Sequence, residues 1–128
     1  MSLSNIAVST RIPTRKVPTA SSLASGSWSN LASINICSGN YLVVSYIQYS
    51  ANTSGVRGCC VSDSLNSLTT QAQRGAYDLT DANPTLTTTV SCSFVIQATQ
   101  DKTLYLNGYQ NSGSSLTVYP ALYIIPLD

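Results

Sequence analysis

The chain has 128 residues and a mass of 13.6 kDa, enough for one core and too short for two. It is 43% apolar, which excludes disorder, yet only 9% charged with a formal charge of +1, which excludes a broad basic field for nucleic acid. It contains no histidine, so no imidazole base, metal ligand or pH switch is available, and no run of 18 apolar residues exists to cross a membrane as a helix. Polarity comes from Ser and Thr, and all five acids are Asp. Helix-favouring Glu is absent, while Thr, Val, Ile and Tyr favour pleated strands, so composition alone points to an all-β domain.

Residues 1–26 read as an extended arm or connector. They hold Pro13 and Pro18, three of the six basic residues (Arg11, Arg15 and Lys16) and a small polar stretch at 21–26. No continuous apolar segment occurs in residues 1–19, so no signal peptide is expected. From Trp28 onward the strand signals are regular, and residues 27–128 form the expected head domain. Residues 31–37 alternate, with Ala32, Ile34 and Ile36 on the apolar side. A turn at 38–40 leads to 41–49, which is apolar on both faces. A turn at 51–55 leads to a short strand at 56–62.

Residues 64–84 are ambiguous, with a possible edge strand at 74–79 and an end at Asn83-Pro84. Residues 86–98 are the clearest strand: Leu86, Thr88, Val90, Cys92, Phe94, Ile96 and Ala98 share one face, and Thr, Ser, Val and Gln occupy the other. Strands at 103–109, 115–118 and 121–127 follow, separated by turns at 100–102 and 111–114 and by Pro120. Seven or eight short strands at this spacing predict a two-sheet sandwich or a barrel.

A sandwich strand has a polar outer face. Residues 41–49 and 121–127 break that rule, so Leu42, Val44, Tyr46, Leu122 and Ile124 are expected to form a subunit interface. The four cysteines, Cys37, Cys59, Cys60 and Cys92, lie in apolar runs. Free buried thiols are the expectation and a single disulfide the alternative, with metal or catalytic use behind both.

Five residues at strand ends are candidates for ligand or receptor contact: Tyr77, Asp78, Asp81, Asn83 and Tyr109. Two carboxylates three apart beside an amide suit sugar hydroxyls or a hard cation, and turn capping is the blander role of the same residues. No metal and no cofactor is expected. Trp28, the single Trp, reads as a packing residue before a sugar platform. A Ser-based triad fails without His, and a Ser–Lys dyad has only Lys16 and Lys102, so the chain is not expected to be an enzyme.

The order Trp28, Gly39-x-Tyr41-x-Val43-x-x-Tyr46, the strand through Phe94, Leu104-Tyr105-Leu106-x-x-Tyr109 and the closing Leu122-Tyr123-Ile124-Ile125-Pro126-Leu127 resembles a known family. It is similar to the trimeric jelly-roll heads of bacteriophage tail fibres and receptor-binding proteins, related to the tumour necrosis factor and complement-head type. The resemblance implies a two-sheet antiparallel jelly-roll sandwich assembled as a homotrimer, with the two-faced strands at the threefold axis. It implies a phage adhesin head that binds a host-surface glycan or protein, located in the virion tail or baseplate. Other virion proteins would contact the N-terminal arm. The alternative expectation is a purely structural virion protein: baseplate, decoration or small coat protein.

Overall fold

Period-2 alternation in the sequence becomes strand wherever one face can be buried. In the computed structural model, which describes residues 13–63, 77–83 and 85–127, the strands are β1 (Thr14–Lys16), β2 (Ser21–Leu23), β3 (Ser29–Ile36), β4 (Gly39–Tyr49), β5 (Val56–Ser62), β6 (Tyr77–Asp81), β7 (Thr88–Ala98), β8 (Lys102–Gln110) and β9 (Leu116–Pro126). All pairings are antiparallel. One sheet, here sheet A, has the order β1-β9-β4-β7, with β2 also on β9. Sheet B has the order β3-β8-β5-β6. The two sheets pack as an all-β sandwich.

The core is the inner face of each sheet. Tyr41, Val43, Ile47 and Tyr49 of β4, Val90, Phe94 and Ile96 of β7, and Leu122 and Ile124 of β9 meet Ile34 and Ile36 of β3, Cys59 and Val61 of β5, and Leu104 and Leu106 of β8. Burying each large aliphatic or aromatic side chain contributes roughly 1.5–3 kcal/mol. Near one end the two sheets approach through Gly108. A Cβ there would lie 3.0 Å from the Tyr49 hydroxyl oxygen and 2.8 Å from Leu31 Cδ1, so glycine makes the room in which Tyr49 sits. The Tyr49 hydroxyl donates to the Gly58 carbonyl and accepts from the Tyr109 N–H at 3.1 Å, tying β4 to β5 and β8. Burial pushes this phenol well above its ordinary pKa.

Arg57 is fully buried, and no carboxylate among the described residues pairs with it. Its guanidinium donates to the carbonyls of Ser54 (2.8 Å), Val56 (3.1 Å) and Asn52 (3.2 Å), so it closes the 51–55 turn. Desolvation lowers its pKa from the usual value.

Several boundaries differ from those expected. The two final strands are one, β9, which runs through Pro120. Along its outer edge β1 pairs as far as Lys16↔Leu122 and β2 resumes at Ser21↔Val118. Pro120 therefore lies opposite the gap between β1 and β2, where no strand among the described residues pairs on that side, and Pro18 lies in the gap itself. Within the expected connector, residues 14–16 and 21–23 run along this edge; residues 1–12, including Arg11, lie outside the described residues. The edge strand expected at 74–79 is β6, Tyr77–Asp81, with residues 74–76 outside the described residues. Leu86 precedes β7 and is exposed, not part of its inner face. Cys37, expected to be buried, is exposed.

Candidate functional site

The outer face of sheet A is built by the register of three long strands. Val95, Leu42 and Ile125 form one cross-strand row of aliphatic side chains. The next row is Ser93, Val44, Tyr123 and Arg15, followed by Ser91, Tyr46 and Ala121, then Thr89, Gln48 and Tyr119. Val95 is 58% exposed, Ile125 37% and Tyr46 36%, so the face is uncovered in the single chain. The Tyr46 and Tyr123 rings stack with centroids 6.5 Å apart. A side-chain hydrogen bond to Tyr123 raises the Tyr46 pKa. Of the five residues expected at a subunit interface, Leu42, Val44 and Tyr46 lie on this face. Leu122 and Ile124 do not: they are in the core, 0% and 2% exposed, because the pairing Val44↔Tyr123 and Leu42↔Ile125 turns the odd-numbered positions of β9 outward. A one-residue choice of register moves every side chain to the other face.

The outer face of sheet B is centred on Gly58. A Cβ at that position would lie 2.8 Å from the Trp28 ring, 2.9 Å from Leu79 and 3.2 Å from Tyr109 Cβ, so these three side chains close over the glycine. The Trp28 and Tyr109 rings are 5.3 Å apart and tilted by 34°. Tyr77, Leu79 and Asp81 occupy alternate positions of β6 and share this face with Tyr109. Tyr77 and Leu79 are each 48% exposed. Asp78 points the other way: in a strand, positions three apart lie on opposite faces, so Asp78 and Asp81 do not form a pair. Asn83 serves the turn after β6. Its side-chain oxygen accepts from the N–H groups of Thr85 (3.0 Å) and Leu86 (2.9 Å), and its own N–H donates to the Thr88 hydroxyl (2.9 Å). Among the described residues, no group of three or more Cys or Asp side chains is placed to hold a metal ion.

Between the sheets lies a cluster that spacing does not reveal. Cys59 of β5 and Cys92 of β7 face each other with their sulfurs 3.8 Å apart. Ser45 of β4 sits beside both, its Oγ 3.1 Å from Cys92 Sγ and 3.6 Å from Cys59 Sγ. It donates to the Cys92 carbonyl at 3.0 Å. The hydrogen bond with Cys92, together with burial, pushes the Cys59 thiol well up, and the same bond holds Cys92 down. Cys60, the next residue of β5, points to the opposite face, and burial pushes it up to about 12.

Fold and faces together define a small all-β sandwich whose two outer faces each carry exposed apolar and aromatic side chains. No family model matches the chain, and no curated protein matches it. Among solved structures it is similar to a chain from the work "Bacillus endospore appendages form a novel family of disulfide-linked pili", at 11% identity and a TM-score of 0.48, covering 91% of this chain and 90% of that one. That finding corrects the expected resemblance. The similar structure is a pilus, not a tail-fibre or tumour necrosis factor-type head. The phage adhesin, its host receptor, its virion partners and the virion location, and with them the virion coat or baseplate alternative, are withdrawn. No function is carried from the pilus to this chain on that similarity.

Proposed function

We propose that this chain is a structural subunit that assembles with copies of itself through the outer face of sheet A. The observation that carries the reading is the uncovered row Val95–Leu42–Ile125, continued by Val44, Tyr46 and Tyr123, on strands whose other face already fills the core. Arg15 is the one charge in these rows, so a partner chosen by charge finds little to read, whereas a second copy offers the same neutral surface. The size also suits a second copy. Three strands about 4.8 Å apart and eleven residues long, β7, β4 and β9, span about 540 Å², and the short β1 and β2 beside them widen the face toward the roughly 800 Å² per partner of a stable complex. The assembly proposed is a homotrimer, with three such faces turned to a common axis.

We also propose the jelly-roll form of the sandwich. Counting β1 and β2 as one strand interrupted at Pro18, the sheets run 1-8-3-6 and 2-7-4-5, the strand order of two interlocked Greek keys. Tyr77, Asp81 and Tyr109 stay proposed as a second contact surface on sheet B, while Asp78 and Asn83 sit outside it. No step in this reading calls for catalysis.

Sedimentation equilibrium tests the assembly. The expected mass is three times 13.6 kDa at micromolar concentration, falling to the single chain in Val44→Asp, since burying unpaired carboxylates at a shared face is costly. A monomeric wild-type chain at that concentration overturns the proposal.

A further inference from the structure

We infer that Cys59 and Cys92 are a redox pair that closes into a disulfide joining the two sheets. Three observations carry this. The sulfurs are 3.8 Å apart, across the sandwich rather than along one sheet. Cα atoms of β5 and β7 approach within 8 Å although the strands belong to different sheets, closer than the ~10 Å usual between stacked sheets. A disulfide needs Cα atoms within about 7 Å and sulfurs about 2.05 Å apart, a closure that modest side-chain rotation and settling of the sheets supply. The partner is unambiguous. Cys60 points to the other face of β5, and Cys37 is exposed at the end of β3.

The Ser45 hydroxyl keeps the open form ordered by hydrogen-bonding both thiols, and it retains the Cys92 carbonyl when the bond closes. Cys92 is the sulfur that attacks first. It is the more accessible, 7% exposed against 0%, and it lies on the edge strand β7. With a small-molecule disulfide as oxidant, the Cys92 thiolate attacks one of its sulfurs and releases one thiolate, leaving a mixed disulfide on Cys92. The Cys59 thiolate then attacks Cys92 Sγ, forms the Sγ–Sγ bond and releases the second thiolate. The two protons lost from the cysteines end on the two released thiols. Two electrons pass from the protein to the oxidant.

The closed bond spans 33 positions of sequence and removes freedom from the unfolded chain. It converts a sandwich assembled in reducing surroundings into a hardened one after transfer to oxidising surroundings. The inference does not depend on how the copies assemble, since the pair is internal to one chain.

The test uses the whole wild-type protein, refolded in a glutathione redox buffer and compared with a sample kept in reductant. The oxidised sample is expected to weigh about 2 Da less, to titrate two thiols after denaturation where the reduced sample titrates four, and to yield a peptide linked through Cys59 and Cys92. Its Tm is expected to rise by on the order of 10 °C and to fall back on reduction. Cys60→Ala should keep the shift, and Cys59→Ala and Cys92→Ala should each abolish it. Four titrating thiols in the oxidised sample, a link that maps to Cys60, or a link between two chains through Cys37 overturns the inference. The mapping is made on the wild type, so it holds even if a variant fails to fold.

Discussion

β4 and β7 pair in unbroken register over eleven residues, Gly39↔Ala98 to Tyr49↔Thr88, and their inner faces are alike in being buried and largely apolar. Their outer faces are not. β7 presents Thr89, Ser91, Ser93, Val95 and Gln97, as an edge strand in water should; β4 presents Leu42, Val44, Tyr46 and Gln48. Folding of one chain accounts for both inner faces and for the outer face of β7. It gives no reason for the outer face of β4, and that surplus is what association between copies would use.

The comparison breaks first if the inner faces are unequal. Phe94→Ala in β7 should cost about 3–5 kcal/mol and Ile47→Ala in β4 about 2–5 kcal/mol. Both are read from the urea midpoint at unchanged slope. A cost under 1 kcal/mol for either would show that its strand is not held by the core. Tyr49→Phe should cost about 1–3 kcal/mol, because the Gly58 carbonyl and Tyr109 N–H each lose a partner; a neutral effect would place the tie between the sheets elsewhere.

Alkaline pH loads the same interior. The Tyr49 phenol is held above its ordinary 10.0, and the Cys60 thiol is raised from 9.0 to about 12. Above about pH 9 the unfolded chain releases these protons while the folded chain keeps them, so the unfolded state binds fewer protons and stability falls as pH rises through 12. Stability that is flat from pH 8 to 11.5 would contradict this burial.

The smallest effect on folding separates the two strands most sharply. Val44 and Ser93 are direct cross-strand neighbours on the outer face. Ser93→Asp should change stability by no more than about 0.5 kcal/mol and lower the sedimenting mass less than Val44→Asp does, because Ser93 is already polar and lies on the edge strand of the same face. Equal behaviour of the two variants would remove the distinction between the strands.

The sequence shows the sandwich wherever alternation and burial coincide. β5 falls on residues 56–62 as read, and β4, β7 and β8 fall within two residues of their expected ends. It misleads at β9, where Pro120 looks like a break. A proline costs a strand a hydrogen bond only where a neighbour pairs on the side its missing N–H would face, and the gap between β1 and β2 leaves such a side open. Leu122 and Ile124 fall in the core instead of on the outer face for a related reason: with both faces apolar, nothing in the sequence says which face is inside until β4 sets the register. Asp78 and Asp81 look paired while the strand is expected to end at Leu79, and with β6 continuing to Asp81 the same spacing puts them on opposite faces. The Cys59–Cys92 approach is a contact between sheets, and period-2 patterning describes only one strand at a time.

The gap beside Pro18 and Pro120 bears on where growth stops. An uninterrupted outer strand along β9 would offer a long ribbon of free amides and carbonyls, on which further chains could stack without limit and in any number. Here that border is broken into two three-residue pieces, the first of them Thr14-Arg15-Lys16, with two positive charges. Such a border templates poorly and repels its like. This rim is thereby a poor joining edge, which fits the proposed use of the broad surface, where contact is finite in area and the number of partners is fixed by shape.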